Sequence, residues 1–178
     1  MIPSLGVTYP SSEQASAVLT FDMHTQRATN TFIGHLYEVT DIAAAPAAWA
    51  GAEQLFATAA NGCDVKIWDM RCRGGAAAIT LSTGHGGSRV GAVVLANDSG
   101  SSNSGGSSSG GSSSSSQLGA GMVCFAGGEC ESVWAWDVRA SSAQALYQLS
   151  TGNQEVTSLA WHAASNTLIA NCWARHDW

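Results

Sequence analysis

The feature that most constrains the fold of this chain is an internal repeat. The segment Val65–Arg71 (VKIWDMR) matches Val133–Arg139 (VWAWDVR) at a separation of 68 residues. A second match at the same separation joins Leu81–His85 (LSTGH) to Leu149–Asn153 (LSTGN). A weaker copy, Val18–Met23 (VLTFDM), places its aspartate 47 residues before the aspartate of VKIWDMR. Repeats of this length bury their apolar faces only against their neighbours, so the repeat predicts a stack of similar units.

A low-complexity segment explains why the two spacings differ. The difference is 21 residues, which is the length of the segment 97–117. Within that segment, Ser99–Ser116 contains only serine, glycine and one asparagine. These residues offer no apolar side chain to bury and have great backbone freedom. We therefore predict a disordered loop inserted as a passive spacer, and the alternative is a phosphorylated regulatory loop.

Each repeat also contains four short apolar segments separated by turn residues. The first segment alternates apolar and polar residues, which is typical of a half-buried strand. Four short strands in each period, joined by tight turns, predict an all-β fold of four-stranded antiparallel sheets. In the first full repeat the predicted strands are Glu38–Ala43, Leu55–Thr58, Val65–Asp69 and Ala78–Leu81.

A Gly-His pair, two strands and then Trp-Asp, at a period of about 40 to 50 residues, resembles the WD-repeat family of β-propellers. The resemblance covers about Ala17 to Cys172, apart from the insertion. It implies a partial propeller of about three four-stranded blades. The repeats run roughly over 29–71, 78–139 and 145–178, and the end of an earlier blade precedes them at 15–28.

The number of blades bears on whether the propeller is complete. A propeller normally needs four or more blades to close its ring. Three blades leave two open sheet edges with unpaired backbone groups. The chain is therefore expected to be a truncated propeller or a subunit that another chain completes.

The resemblance also implies a buried hydrogen-bond network in each blade. Its members are a loop histidine, a strand serine or threonine, the tryptophan ring N–H and a turn aspartate, and pairing them avoids the cost of burying polar groups. In the first full repeat, His35, Thr58 and Trp68 take three of these places. Asn61 and Asp64 lie on either side of the fourth place, which Gly62 is expected to occupy.

The network is expected to degrade along the chain. In the second full repeat, His85 and Trp136 take the histidine and tryptophan places. Phe125 is expected where Thr58 aligns, so the network should be broken or rebuilt there. In the third repeat, Asn153 replaces the histidine.

The titratable residues do not have the spacing of a catalytic or metal site. The cysteines lack the paired spacing of a zinc site, and Cys63 and Cys130 are expected in equivalent turns. The chain contains no phosphate-binding loop or H-E-x-x-H motif. We therefore expect no enzyme activity, cofactor or metal; a thiol or metal-dependent enzyme is the disfavoured alternative. The five cysteines are Cys63, Cys72, Cys124, Cys130 and Cys172.

Charge and hydropathy limit the partners and the compartment. With seven lysines and arginines and a net charge of -6, the chain has no basic patch for nucleic acid or an anionic membrane surface. The N-terminal residues do not resemble a signal peptide, and no apolar run is long enough to span a bilayer. An odd number of cysteines then favours free thiols in the cytoplasm or nucleus.

The function expected of such a chain is a protein–protein interaction scaffold without catalysis. One motif points to a partner: Trp68-Asp69-Met70-Arg71 and Trp136-Asp137-Val138-Arg139 resemble the boxes of WD-repeat substrate receptors of cullin-4 ubiquitin ligases. Arg71 and Arg139 could bind a ligase adaptor through bidentate hydrogen bonds. The remaining alternative is a non-functional fragment of a larger propeller.

Overall fold

The computed structural model describes residues 16–47, 49, 53–72, 75–84, 88–98, 121–140 and 143–174. The secondary structure of these residues consists of twelve strands and one 3-10 turn, so the predicted all-β fold is confirmed. The strands are β1 (Ser16–Asp22), β2 (Arg27–His35), β3 (Val39–Ala44), β4 (Leu55–Ala60), β5 (Asp64–Asp69), β6 (Ile79–Ser82), β7 (Val90–Asp98), β8 (Gly121–Gly128), β9 (Ser132–Asp137), β10 (Tyr147–Ser150), β11 (Gln154–His162) and β12 (Thr167–Ala174).

The described strands form two four-stranded antiparallel sheets flanked by two hairpins. The first sheet has the order β3-β4-β5-β6 and the second the order β7-β8-β9-β10, while β1–β2 and β11–β12 are the hairpins. Twelve strands are enough for three four-stranded blades. They form two whole sheets of four strands and two hairpins, each of which is half a sheet. The grouping arises because β2 and β6, the first strands of the two full repeats in sequence, pair with the strands before them, so sequence repeats and sheets are offset by one strand.

The two whole sheets have the same register. Thr58 of β4 pairs with Lys66 of β5, and Ala126 of β8 pairs with Trp134 of β9. The counterpart of Thr58 is therefore Ala126, and the expectation that Phe125 takes this place is wrong by one residue. Because successive side chains of a strand point to opposite faces, Phe125 faces the other side of its sheet.

The turns before β5 and β9 show that a second predicted equivalence, that of Cys63 and Cys130, is wrong. Asp64 and Ser132 occupy equivalent positions at the starts of these strands. The residues before them, Cys63 and Glu131, both have left-handed backbone, with φ of 60° and 55°. Cys63 is therefore the counterpart of Glu131, and its expected equivalence to Cys130 is wrong by one residue.

The core lies between successive sheets, which pack face to face in chain order. One apolar cluster joins the β1–β2 hairpin to the first sheet, a second joins the two whole sheets, and a third joins the second sheet to the β11–β12 hairpin. The first strands of the sheets lie side by side. Thr40 of β3 donates to the carbonyl oxygen of Val90 over 2.6 Å, and the Val93 N–H donates to Asp41 over 2.9 Å. Sheets arranged radially around adjoining first strands are blades of a propeller.

Three parts of the sequence predictions lie outside the described residues. They are residues 99 to 117 of the low-complexity segment, His85, and the last four residues of the chain. Asn97 and Asp98, predicted to begin that segment, instead form the end of β7, because they pair with Met122 and Gly121 of β8. In the part of the chain that the structure describes, no helix is long and apolar enough to cross a membrane.

Candidate functional site

Four side chains form a hydrogen-bonded chain between the β1–β2 hairpin and the first sheet. The Trp68 ring N–H donates to the Thr58 hydroxyl oxygen over 2.7 Å, and that oxygen lies 2.6 Å from Nε2 of His35. Nδ1 of His35 lies 3.3 Å from the Asp64 carboxylate. With His35 neutral and protonated at Nδ1, each donor has an acceptor from the indole to the carboxylate.

Asp64 occupies the aspartate place, with its carboxylate 3.3 Å from Nδ1 of His35, so the expectation that Gly62 takes this place is wrong. Its carboxylate also accepts from Lys66, whose Nζ lies 3.1 Å away. Burial raises the pKa of Asp64, but the hydrogen bonds from His35 and Lys66 outweigh burial and hold that pKa below its ordinary value. The carboxylate is therefore charged at neutral pH and anchors the end of the hydrogen-bonded chain.

Aromatic packing fixes the position of Trp68. Its ring lies 5.8 Å from the Phe32 ring, edge to face, and 6.2 Å from the Phe56 ring, nearly parallel. Phe32 of the hairpin and Trp68 of the sheet are completely or almost completely buried. A Cβ atom at Gly34 would lie 3.1 Å from the indole, so a larger residue would press on this ring. A buried apolar cluster thus holds the tryptophan of the network in place.

The second sheet keeps the tryptophan without the network. Trp136 is fully buried, and its ring N–H has no hydrogen-bond partner among the described residues. The reason is that Ala126, at the place of Thr58, has no hydroxyl. In the following repeat, Asn153 takes left-handed backbone with φ of 62°.

The two arginines of the Trp-Asp-x-Arg motifs lie in equivalent turns at the same end of adjacent sheets. Arg71 forms a two-pronged bond with Asp69, with Nε 2.9 Å from Oδ1 and Nη2 2.6 Å from Oδ2. Arg139 contacts Asp137 in the same way, at 3.2 Å and 3.3 Å. Each backbone N–H also donates to the same aspartate over 2.9 Å, so the aspartate orients both turn and side chain.

Arg71 is exposed and lines a polar cleft. Its side chain is 62% exposed, and the cleft, about 490 Å³ in volume, lies between the β1–β2 hairpin and the first sheet. Hydrogen bonds from the Arg71 side chain and backbone lower the pKa of Asp69 to about 2. The same pairing raises the pKa of Arg71, so both charges persist at neutral pH. The cleft is also lined by Thr20, Phe21, Thr29, Asn30, Gln54 and Met70.

The described residues contain no group of three or more histidine, cysteine, aspartate or glutamate side chains that could hold a metal ion. All five cysteines are free thiols. Burial raises the pKa of Cys124 far above its usual range. This thiol is therefore protonated and inert at neutral pH.

Sequence reasoning missed the polar contacts that hold one sheet to the next. Thr40 and Asp41 bond across the boundary between the whole sheets, and Asn30 of the hairpin donates to the Met70 carbonyl oxygen over 3.4 Å. These residues lie in alternating strands or turns where polar side chains are ordinary. No local signal distinguishes them, because their partners are distant in sequence.

Comparison with known proteins defines the class of fold. No protein-family profile and no curated protein matches the chain. A solved chain in the crystal structure of a mitotic checkpoint complex is similar to it, with a TM-score of 0.60 and 17% identity, and is a WD-repeat propeller. The match covers 86% of this chain and 37% of the solved chain, so this chain spans less than half the length of that neighbour. The chain therefore has the fold of a partial WD-repeat propeller.

Proposed function

We propose that this chain is a protein–protein interaction scaffold without catalysis, and that its docking face contains the two Trp-Asp-x-Arg turns. The observation that carries the proposal is the position of Arg71. An exposed arginine, oriented by Asp69, stands on the wall of a polar cleft between neighbouring sheet units.

The chemistry of the face indicates the kind of group it would bind. A guanidinium has five N–H donors, and Asp69 accepts from only part of those of Arg71. The remaining donors suit a carboxylate or backbone carbonyl oxygens of a partner. Arg139 repeats the arrangement one sheet away, so an extended acidic or carbonyl-rich segment could engage both turns.

The finer proposal is that the partner is the adaptor of a cullin-4-type ubiquitin ligase. It rests on the resemblance of the paired Trp-Asp-x-Arg boxes to those of WD-repeat substrate receptors, together with the equivalent geometry of Arg71 and Arg139. A role as a non-functional fragment of a larger propeller predicts no partner at this face. We further propose a cytoplasmic or nuclear location, which the five free thiols support.

The test is affinity capture from cells with the wild-type chain and the double variant Arg71→Ala, Arg139→Ala. Partners that use this face should be lost from the double variant, including the ligase adaptor if the finer proposal holds. Arg27→Ala, in the β1–β2 hairpin, is the matched control for loss of an exposed arginine. Thermal unfolding of all three proteins verifies that the folds are equal.

Two outcomes test the scaffold proposal and the ligase-adaptor proposal separately. If the adaptor is absent while other proteins depend on the two arginines, the scaffold proposal stands and the ligase proposal fails. An identical set of captured proteins for the wild type and the double variant would contradict docking at this face.

A further inference from the structure

Thr20 and Asn30 of the β1–β2 hairpin hold places that isoleucines hold in the first sheet. The segment Val18–Met23 (VLTFDM) is a copy of the part of the repeat that reads VKIWDM, so Thr20 aligns with Ile67. Thr20 pairs with Asn30 across the hairpin. Ile67 pairs with Ile79 in the same way, so the correspondence extends to the neighbouring strand. Two polar side chains of the hairpin therefore stand where the sheet has two apolar ones.

These places face the next sheet along the chain. Ile67 is fully buried in the apolar cluster between the two whole sheets, and Ile79 packs against that cluster. Thr20 and Asn30 lie at the boundary between the hairpin and the first sheet, where they line the polar cleft of about 490 Å³. The Asn30 amide donates to the Met70 carbonyl oxygen across this boundary. The same structural place is thus apolar and packed at one boundary, and lines a polar cleft at the other.

The opposite wall of the cleft shows the same change. The Gln54 carbonyl oxygen accepts from the Met70 N–H over 2.9 Å. In the second sheet, the Met122 carbonyl oxygen accepts from the Val138 N–H over 2.8 Å, so Gln54 is equivalent to Met122. Met122 packs against the apolar cluster between the whole sheets, whereas Gln54 lines the cleft. Side chains that pack two sheets together at one boundary are replaced at the other by side chains that can bind a polar ligand.

The cleft retains hydrogen-bond donors that the described residues do not use. Arg71 bonds to Asp69 through Nε and Nη2, so its Nη1 donors have no partner in the described part of the chain. Asn30 gives one amide N–H to Met70, which leaves its second N–H and its carbonyl oxygen. The Gln54 amide likewise has no hydrogen-bond partner within the described ranges. Donors and amide oxygens side by side suit a ligand that has both a charged acceptor and a peptide backbone.

We propose that this cleft binds an acidic peptide segment of a partner protein, with one glutamate or aspartate side chain on Arg71 and the neighbouring peptide groups on Asn30 and Gln54. The inference rests on the proposed function, because it names the chemistry of the partner at the Arg71 turn. It also assigns the carboxylate site to one of the two Trp-Asp-x-Arg turns, since the boundary that holds Val138 of the other turn is apolar and packed.

The charges around Arg71 favour a carboxylate over a phosphate. Arg71 is the one cationic side chain among the residues that line the cleft, and Asp69 already pairs with it. Glu53 also lies close enough to add slightly to the rise in the pKa of Arg71. A singly charged group held by several hydrogen bonds fits this balance, whereas a doubly charged phosphate would be repelled more strongly by the two carboxylates.

The test uses an array of hexapeptides of random sequence, blocked at both ends and probed with the purified 178-residue chain. Because the ends are blocked, a bound carboxylate comes only from an aspartate or glutamate side chain. Peptides with an acidic residue should dominate the bound set. Exchange of that residue for the corresponding amide in the same peptide should weaken binding at least about tenfold, since a hydrogen bond between two charged groups is lost.

Two variants remove the features that the proposal requires. Arg71→Ala should abolish binding of the acidic peptides. The double variant Thr20→Ile, Asn30→Ile, called the isoleucine variant, gives the cleft the side chains of the packed boundary and should abolish it as well. Gln54→Met is a milder change that copies the equivalent residue of the second sheet, and it should weaken binding. Arg27→Ala is the matched control, because Arg27 is an exposed arginine of β2 outside the cleft.

Circular dichroism verifies that each variant is folded. A bound set with no preference for acidic residues would overturn the proposal. Acidic peptides that bind the isoleucine variant and Gln54→Met as tightly as the wild type would also overturn it.

Capture from cells with the isoleucine variant separates this proposal from the scaffold proposal. Partners that need Arg71 and Arg139 but are still captured by the folded isoleucine variant would support the scaffold and contradict the cleft. Arg71-dependent binding of acidic peptides, together with a captured set that is unchanged in the arginine double variant, would support the cleft and contradict the scaffold.

Discussion

Thr58 and Ala126 occupy the same register position in consecutive sheets, and only Thr58 provides an acceptor for the tryptophan of the next strand. The Thr58 hydroxyl accepts from Trp68 and bonds to His35, whereas the Trp136 ring N–H has no partner among the described residues. The two sheets therefore differ at this position by one hydroxyl. Where it is present the tryptophan N–H is hydrogen-bonded, and where it is absent the buried N–H has no partner among the described residues.

Replacing Thr58 by valine should destabilise the fold by about 2–4 kcal/mol, since valine keeps the shape and leaves two buried polar groups unsatisfied. The measurement is the free energy of unfolding in urea. Thr29→Val, at an exposed threonine of β2, is the control and should change stability by less than about 0.5 kcal/mol. Equal effects of the two substitutions would show that the buried network contributes nothing.

Replacing Ala126 by serine should stabilise the second sheet by about 1 kcal/mol, because the new hydroxyl can accept from the Trp136 ring N–H. The midpoint of thermal unfolding should rise. Ala135→Ser is the control: Ala135 is also fully buried, but it lies on the other face, so its hydroxyl should destabilise. A fall in the midpoint for both variants would contradict the assignment of Ala126 to the threonine place.

The Asp69 carboxyl should titrate with a midpoint of about 2 rather than its ordinary 3.8, because Arg71 bonds to its charged form. A depressed pKa means that the pairing stabilises the fold above the ordinary value, and this stabilisation is lost as the pH falls through about 2. Carboxyl-carbon NMR measures the midpoint. Arg71→Ala should move it toward 3.8, while the midpoint of Asp22, which Thr25 and His24 lower, should stay unchanged. An Asp69 midpoint near 3.8 in the wild type would contradict the pairing in solution.

The thiols should react with a disulfide reagent in an order set by burial. Cys72 is exposed and should be modified first in the native protein. Cys124 is buried with a raised pKa, so it should react only when the second sheet opens or unfolds. Peptide mass spectrometry after timed labelling gives the order, and labelling in denaturant provides the control rates. Early modification of Cys124 would show that the sheet is not packed as described.

Much of the candidate network could be predicted from local sequence. His35, Thr58 and Trp68 are recognisable because each lies at a fixed offset from a motif within one repeat, and the structure brings them within hydrogen-bond distance. Asp64 could not be chosen over its neighbours. The backbone of the turn decides which side chain reaches His35. Cys63 in that turn has a left-handed conformation, and a cysteine is not a sequence signal for that conformation.

By itself, the sequence determined that this protein is an all-β stack of repeated sheets, because strand alternation and repeat spacing are carried by residues close together in the chain. Only the tertiary structure decided the register, and a slip of one residue moves every side chain to the other face. That is why Ala126, rather than Phe125, lies in the threonine place. The tertiary structure also decided which surfaces are covered: Leu81 and Leu149 hold the same place in the repeat, yet Leu81 is buried and Leu149 is exposed.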